Sequence, residues 1–257
     1  MEGVQSIRRA SAVLDVVARH GEKGCRLFDV VRQTDLGRAT VHRFLKALQE
    51  VNLIDHDPLT QNYYPGFRLI SLANAASNRY GVARRLAPAM LRIAEKTADT
   101  VYLSIRVGDE AVCLAREEGT FPIKTLTLQA GDRRPLGVGA GSLALLAFLP
   151  DDEIDQILSA SGERLRTFGF DAATIRGLVA DTRREGYALN AGKLIPGMSA
   201  IGVAVRVGSA TLAALSVAAI SDRMSKPRMS EIASLLHEEA RLAQSDLMPG
   251  AEKRYGS

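Results

Sequence analysis

The segment TDLGRATVHRFLKALQEV, residues 34–51, decides how the first part of this chain folds. Within it, apolar side chains recur every three or four residues, as on one face of an amphipathic helix: Val41, Phe44, Leu45 and Leu48. A shorter apolar pattern runs from about Arg26 to Thr34, and only the tight link TDLG separates the two patterns. Two short helices joined by a link of three or four residues are typical of a helix-turn-helix.

The flanking sequence extends this motif on both sides. Residues 4–20, VQSIRRASAVLDVVARH, have the apolar spacing of a longer helix, with a stripe formed by Ile7, Ala10, Val13, Leu14 and Val17. Residues 53–66, LIDHDPLTQNYYPG, combine a short apolar strand, a polar turn and an aromatic strand, which is a hairpin pattern. Because a hairpin directly after the third helix forms a wing, the sequence predicts a winged helix-turn-helix.

The third helix has a second face, whose composition suits DNA reading. This face carries Arg38, Ala39, Thr40, His42, Arg43 and Lys46. Small residues near a helix start let the backbone approach a groove, while the hydroxyl and the cations reach base edges and phosphates. A cationic helix face taken alone is more often solvated surface. The wing that follows it favours double-stranded DNA as the partner.

The charge distribution agrees with a nucleic-acid partner at one end of the chain. Residues 1–84 hold 12 Lys and Arg against 8 Asp and Glu, whereas residues 85–257 hold 21 against 21. The net excess of +4 therefore lies in the N-terminal third.

Other features argue against membrane, secreted and metal-dependent proteins. The longest uncharged run, residues 135–150, is shorter than the roughly 20 residues of a membrane helix, and the N-terminus has no segment resembling a signal peptide. We therefore expect a cytoplasmic protein without membrane contact. Cys25 and Cys113 fit neither a disulfide framework nor a zinc site, so buried free thiols are expected. The histidines are scattered singly, and no metal site is expected.

A glycine-rich turn before an apolar helix, PLGVGAGSLALLAFLP at residues 135–150, raises the question of a nucleotide site. In a dinucleotide fingerprint the third glycine would come one residue later, and the lysine of a P-loop is missing. No nucleophile and base are paired elsewhere, so we predict no enzyme, no catalytic residues and no cofactor. The helix start still offers unpaired N–H groups and a positive dipole end to an anion.

The remaining sequence predicts an α+β domain, because strands come first, helices follow and strands return. Helices are predicted near Leu69–Tyr80, Ala83–Thr97, Asp151–Ala160, Asp171–Glu185 and Lys226–Gln244. Strands are predicted at residues 100–107 and 110–118, Ile123–Leu128, Tyr187–Asn190, Ala200–Val207 and Thr211–Ala219.

The chain resembles the IclR-type transcriptional regulators of bacteria in four places: VQSIRRASAVLDVVA, LGRATVHRFLKALQE, the wing ending in YYPG, and the effector-domain stretches. The resemblance runs from about Val4 to Leu247. It implies a winged helix-turn-helix over 1–66, a linker helix over 67–82 and a GAF-like effector-binding domain over 83–248, followed by a disordered tail at 249–257. The effector domain is expected to have a mixed, mainly antiparallel sheet flanked by helices.

The resemblance also implies a pocket for a small effector. Its positions in this chain are Gly139, Ala140, Gly141 and Ser142 in the turn and helix start, together with Asn190, Ala200 and Ser216. For Ala140 and Ala200, close packing of a helix on a sheet explains the small side chain about as well as contact with a ligand does. Where many members carry His, Lys, Cys and Ser, this chain has the small or apolar residues Gly137, Leu143, Ala200 and Ala218. Apolar walls suit a flat, bulky ligand, so an aromatic or comparably large carboxylate is expected, its anionic end near Ala140–Ser142 and Ser216.

The resemblance implies a ligand-responsive regulator that binds a palindromic operator as a homodimer or dimer of dimers and responds to a small carboxylate. The small, apolar residues of the pocket add the expectation that this carboxylate is aromatic or similarly bulky. The alternative is a small-molecule sensor that acts through protein contacts without specific DNA binding.

Overall fold

The computed structural model describes residues 2–208 and 210–247, with all their side chains except those of residues 2, 3, 74, 76–80 and 245–247. The chain divides between Tyr80 and Gly81 into two compact units. The tail predicted at 249–257 lies outside the described residues.

The N-terminal unit is built from helices and one hairpin. Its helices are α1 (Glu2–His20), α2 (Leu27–Thr34), α3 (Arg38–Glu50) and α4 (Arg68–Tyr80), and the hairpin pairs β1 (Ile54–Asp57) with β2 (Asn62–Pro65). Only residues 35–37 join α2 to α3, and Asp35 adopts a left-handed backbone there, with φ of 49°. The predicted winged helix-turn-helix is confirmed.

The apolar faces of α1, α2 and α3 meet in one core beneath the wing. Its buried members are Val13, Val16, Val17, Cys25, Val30, Val41, Leu45, Leu48 and Ile54. The stripe predicted on α1 is shorter than expected, because Ile7 is 72% exposed and core contact begins at Ala10.

The C-terminal unit carries a sheet with helices on both faces. Its helices are α5 (Val82–Thr97), α6 (Ala140–Ala147), α7 (Asp151–Ala160), α8 (Gly162–Thr167), α9 (Ala172–Glu185) and α10 (Lys226–Leu247). Its strands are β3 (Thr100–Val107), β4 (Glu110–Glu118), β5 (Arg133–Pro135), β6 (Ala188–Ala191), β7 (Met198–Val207) and β8 (Ala210–Ile220).

The strands lie in the order β5-β4-β3-β8-β7-β6, and every pairing among the described residues is antiparallel. The central pair, β3 and β8, joins strands from the two ends of the unit. The predicted α+β class, with an antiparallel sheet flanked by helices, is confirmed.

Strand alternation gives the sheet two different faces. One face presents large side chains such as Leu103, Leu215 and Val217, which pack with residues of α5 and α10. The other face carries smaller or polar residues such as Ser104 and Ser216, and α6 packs against this side. The small side chains leave room between α6 and the sheet.

Local sequence sets the ends of several helices. The Asp171 carboxylate accepts a hydrogen bond from the Thr174 backbone N–H at 2.7 Å, as an N-cap residue does, and starts α9 one residue later than predicted. Gly186, with φ of 81°, ends the same helix in the left-handed conformation. The three acidic residues that open α7 complement the positive end of its dipole.

The strand predicted at Ile123–Leu128 is wrong. This segment is irregular, and the short strand β5 pairs with β4 instead. Side chains satisfy its backbone: the Tyr102 hydroxyl donates to the Thr125 carbonyl, and guanidinium groups donate to the carbonyls of Thr127 and Leu128. The backbone therefore needs no neighbouring strand. The short helix α8 also has no counterpart in the prediction.

Candidate functional site

The helix predicted to read DNA, α3, buries one face and exposes the other. Val41, Leu45 and Leu48 are buried in the core of the N-terminal unit. Of the predicted DNA-contacting residues, Arg38, Ala39, His42, Arg43 and Lys46 are exposed and Thr40 is half-buried. The structure thus brings all six to the outer side of one helix.

The cationic side chains on this face make no polar contact with other described residues. Among the described residues, Arg38, Arg43 and Lys46 form no ion pair and no side-chain hydrogen bond. By contrast, Arg68 at the start of α4 donates to the Val51 carbonyl at 3.1 Å. Free cations on an exposed helix are available for phosphate and base contacts.

Arg38 and His42 also border a concave surface between α3, α2 and the wing. Its other margins include Arg26 and Phe28 from the start of α2 and Leu59 from the wing turn. Phe28 and Leu59 are 70% and 92% exposed. The helix and wing therefore present one continuous surface of cationic and apolar groups, of which the sequence analysis identified only the α3 part.

A cavity lies in the C-terminal unit between the start of α6 and the small-residue face of the sheet. The empty space in and around it, including open solvent at the entrance, is about 630 Å³. All seven predicted effector residues line it: Gly139, Ala140, Gly141, Ser142, Asn190, Ala200 and Ser216. They come from four separate elements, so the fold brings together residues that are distant in sequence.

Strand register explains this convergence. Asn190 lies opposite Ala200, and Ala200 lies opposite Ala218. Ser216, two residues before Ala218 on β8, lies opposite Tyr102. Two neighbouring rows on the same face of the sheet thus bring side chains from four strands to the cavity. On β7, a β-carbon at Gly202 would stand 2.6 Å from the Ala140 carbonyl oxygen. Only glycine at that position lets the start of α6 rest directly on the sheet.

The glycines of the turn have distinct roles. Gly137 and Gly139 have φ of 94° and 92°, a region that glycine tolerates and other residues rarely adopt. A β-carbon at Gly141 would lie 3.2 Å from the Ser216 hydroxyl oxygen and 3.5 Å from that of Ser104. The first two glycines therefore shape the turn, and the third brings the helix start against two serines.

The serine hydroxyls of the cavity differ in their availability. Ser142 donates to the Pro135 carbonyl at 3.0 Å and accepts from the Gly137 N–H at 3.1 Å, so its hydroxyl braces the turn. Ser104 and Ser216 are 4% and 5% exposed and line the cavity, and neither hydroxyl forms a hydrogen bond with another described residue. Hydroxyls that face a cavity can bind water or a polar ligand, so this pair is available to the polar end of a bound molecule.

Two charged residues occur in the wall, and the sequence analysis identified neither. Arg134 on β5 donates to the Thr127 carbonyl at 2.8 Å, and burial lowers the pKa of its guanidinium. Asp132 accepts from the Gln129 N–H at 2.7 Å. The sequence of β5 does not indicate which of the adjacent residues Arg133 and Arg134 faces the cavity. Only the fold shows that Arg134 lines it and that Arg133 pairs with Glu110.

The rest of the wall is largely apolar. It includes Ala111, Cys113, Leu128, Val138, Leu194, Ile195, Met198 and Ala218. Burial raises the pKa of the Cys113 thiol to about 11, which keeps it protonated at neutral pH. Cys25 and Cys113 are both buried free thiols, as predicted. Tyr102 and Ser104 were also missed, although their alternation with Val101 and Leu103 marks a second strand face.

Two further findings concern metals and membranes. Over the residues that the structure describes, no cluster of His, Cys, Asp and Glu has an arrangement able to hold a metal ion. Across the same residues, no helix combines the length and apolar character needed to cross a membrane.

Two family models match the chain, one in its N-terminal part and one in its C-terminal part. Residues 74–244 match the C-terminal domain of the bacterial transcriptional regulator IclR, and residues 6–58 match the IclR helix-turn-helix domain. The chain is 28% identical to the HTH-type transcriptional regulator BhcR of Paracoccus denitrificans, over 96% of this chain and 88% of that protein. It is 25% identical to the HTH-type transcriptional regulator XynR of Escherichia coli, over 94% and 96%.

Solved structures share the fold. An IclR transcriptional regulator of Alicyclobacillus acidocaldarius superposes with a TM-score of 0.80 at 22% identity, covering 95% of this chain and 98% of that one. An IclR homologue of Microbacterium hydrocarbonoxydans, complexed with 4-hydroxybenzoate, superposes with a TM-score of 0.76 at 22% identity, covering 94% and 98%. The relatives are named regulators, which confirms the prediction that the chain is not an enzyme. This chain belongs to the IclR family of bacterial DNA-binding transcriptional regulators.

Proposed function

We propose that the protein is a cytoplasmic, ligand-responsive regulator that binds a palindromic operator as a homodimer or dimer of dimers and releases or tightens it when a small carboxylate enters the C-terminal cavity. The observation that carries this proposal is the convergence of all seven predicted effector residues on one cavity.

The DNA contact is assigned to α3 and the wing. Arg38, Arg43 and Lys46 are exposed and, within the described residues, have no acidic partner, so they are free to neutralise phosphates. Ala39 and Thr40 near the helix start allow a close approach to base edges. The helix-turn-helix family match and these free cations favour DNA binding over a sensor that acts through protein contacts alone.

The ligand is assigned by the composition of the cavity. Apolar side chains, among them Leu128, Leu194 and Ile195, supply most of its walls, and a few polar groups gather near the start of α6. Such a distribution suits a molecule with a flat apolar body and an anionic end. A homologue of the same fold that carries 4-hydroxybenzoate supports a ligand of this kind.

Dimerisation is supported by apolar surface on the N-terminal unit. Ile7 on α1, Phe67 before α4 and Ile70 on α4 are all more than half exposed. A second copy that buried these side chains would bring two recognition helices together, as binding to a palindrome requires.

Calorimetric titration of the full chain tests the ligand class. Benzoate and 4-hydroxybenzoate are expected to bind more tightly than glyoxylate and pyruvate, because only the aromatic acids fill the apolar part of the cavity. Tight binding of glyoxylate or pyruvate, with no binding of either aromatic acid, would overturn the proposed ligand class.

A further inference from the structure

The guanidinium of Arg134 lies in the cavity wall, and among the described residues it forms no ion pair. Its one hydrogen bond in the described structure goes to the Thr127 carbonyl, which leaves most of its N–H donors without a protein acceptor. The adjacent Arg133 differs, because it forms an ion pair with Glu110 and lies outside the cavity lining. A half-buried cation without an ion pair is costly unless an anion joins it.

The other acidic and cationic groups nearby do not supply that anion. Asp132, the other charged residue of the wall, forms no ion pair with Arg134, and one of its carboxylate oxygens accepts from the Gln129 N–H. Burial lowers the pKa of the Arg134 guanidinium overall, although the negative charge of Asp132 acts in the direction that raises it. The remaining N–H donors of Arg134 are therefore available to an anion that enters the cavity.

The start of α6 lies beside the same guanidinium and is not capped. The N-cap residue is Gly139, which has no side chain to accept from the first N–H groups, and the Ser142 hydroxyl serves the turn instead. A β-carbon at Gly139 would stand 3.4 Å from Arg134 Nη1. A charged donor and an uncapped helix start thus lie together, and the unpartnered Ser104 and Ser216 hydroxyls adjoin that helix start.

We infer that Arg134 is the charge partner of the effector, binding its carboxylate together with the N–H groups at the start of α6. The Thr127 carbonyl holds the guanidinium in place. The remaining N–H groups of the guanidinium donate to the carboxylate oxygens of the effector. The Ser104 and Ser216 hydroxyls contact the same end of the ligand. The inference rests on the proposed function, because it assigns a residue to the ligand of the same cavity.

The test compares three proteins by calorimetry: the natural sequence, Arg134→Gln and Arg133→Gln. With benzoate or 4-hydroxybenzoate, Arg134→Gln should lose affinity by about 100-fold, the scale of two charge-assisted hydrogen bonds. Arg133→Gln removes the same charge from the same strand and should bind like the natural protein. Benzamide, which has no carboxylate, should bind the natural protein and Arg134→Gln equally.

The outcomes separate the two proposals. Equal affinity of the natural protein and Arg134→Gln for the aromatic acids overturns the role of Arg134 and leaves the proposed function intact. A natural protein that binds no acid of the panel overturns the proposed ligand class, and the role of Arg134 with it. Thermal unfolding of Arg134→Gln should change only by the scale of one hydrogen bond, because the substitution removes the bond to the Thr127 carbonyl and breaks no ion pair.

Discussion

At the scale of single residues, Gly141 is the position where helix, sheet and cavity meet. A methyl group there would lie 3.2 Å from the Ser216 hydroxyl oxygen and 3.5 Å from that of Ser104, which crowds the space beside both hydroxyls. We expect Gly141→Ala to weaken binding of an aromatic acid by roughly tenfold, the scale of one lost hydrogen bond. Thermal unfolding should change little, because Gly141 is helical and alanine favours helices.

Gly177 provides the matched control for that substitution. It lies within α9, and a β-carbon there would meet nothing within 4 Å. Gly177→Ala should therefore stabilise the protein by about 0.5–1 kcal/mol and leave ligand affinity unchanged. If both variants bound the ligand like the natural protein, the start of α6 would not be part of the binding site.

Arg43 carries the corresponding prediction for DNA. Arg43→Ala should weaken operator binding about tenfold or more and lower the slope of log affinity against log salt concentration by about 1 per protomer. Ligand binding should persist, because Arg43 belongs to the N-terminal unit.

The control for this charge loss is Arg19→Ala on α1, where the Arg19 guanidinium donates to the Asp15 carbonyl of its own helix. Arg19→Ala should leave the salt dependence nearly unchanged. Gel shifts that do not distinguish Arg43→Ala from the natural protein would count against the assignment of α3.

At the scale of elements, the charged cluster around Asp99 joins the entry to β3 with the entry to α10. The Asp99 carboxylate is 1% exposed and accepts from Arg223 Nε at 3.0 Å and Arg228 Nη2 at 2.7 Å. The Arg223 guanidinium also stacks over the Phe121 ring, with its carbon 3.8 Å from the ring centroid. The buried carboxylate thus joins the entry to β3 with the entry to α10, and Arg223 adds the contact with Phe121.

Asp99→Asn should lower the free energy of unfolding by about 3–5 kcal/mol, because it leaves two partly buried guanidinium groups without a counter-charge. Urea unfolding followed by circular dichroism measures this. Asp181→Asn breaks an exposed ion pair with Arg184 and should cost less than about 1 kcal/mol. Equal midpoints for the two variants would show that the cluster contributes no more than surface charge.

Elements also show what the sequence can and cannot predict. The bounds of α3, β3 and β4 follow from local patterns, because apolar spacing and turn residues act on neighbouring residues. The segment 123–128 has strand-like composition, yet it remains irregular because side chains from β3, β4 and β5 satisfy its backbone. Those side chains belong to other elements, so the local sequence contains no sign of them.

At the scale of the whole molecule, the α+β fold with an N-terminal winged helix-turn-helix was predictable, but part of the chemistry of the cavity wall was not. Ser216 was anticipated from its motif, whereas Ser104 reaches the cavity only because β3 pairs with β8. Arg134 reaches the cavity wall because β5 pairs with β4 and because the irregular segment 123–128 offers the Thr127 carbonyl to its guanidinium. Strand order and the path of an irregular segment depend on the complete fold, and spacing along the chain does not reveal them.

The central claim is that ligand binding in one unit changes DNA binding by the other. Fluorescence anisotropy of labelled DNA from upstream of the protein's own gene, titrated with the full chain at fixed salt with and without 4-hydroxybenzoate, measures this directly. The account predicts binding that exceeds binding to a scrambled fragment, and an operator affinity that shifts at least fivefold when the acid is present, the lower end of typical allosteric coupling. Equal affinity for operator and scrambled DNA, or an operator affinity that every carboxylate of the panel leaves unchanged, would contradict it.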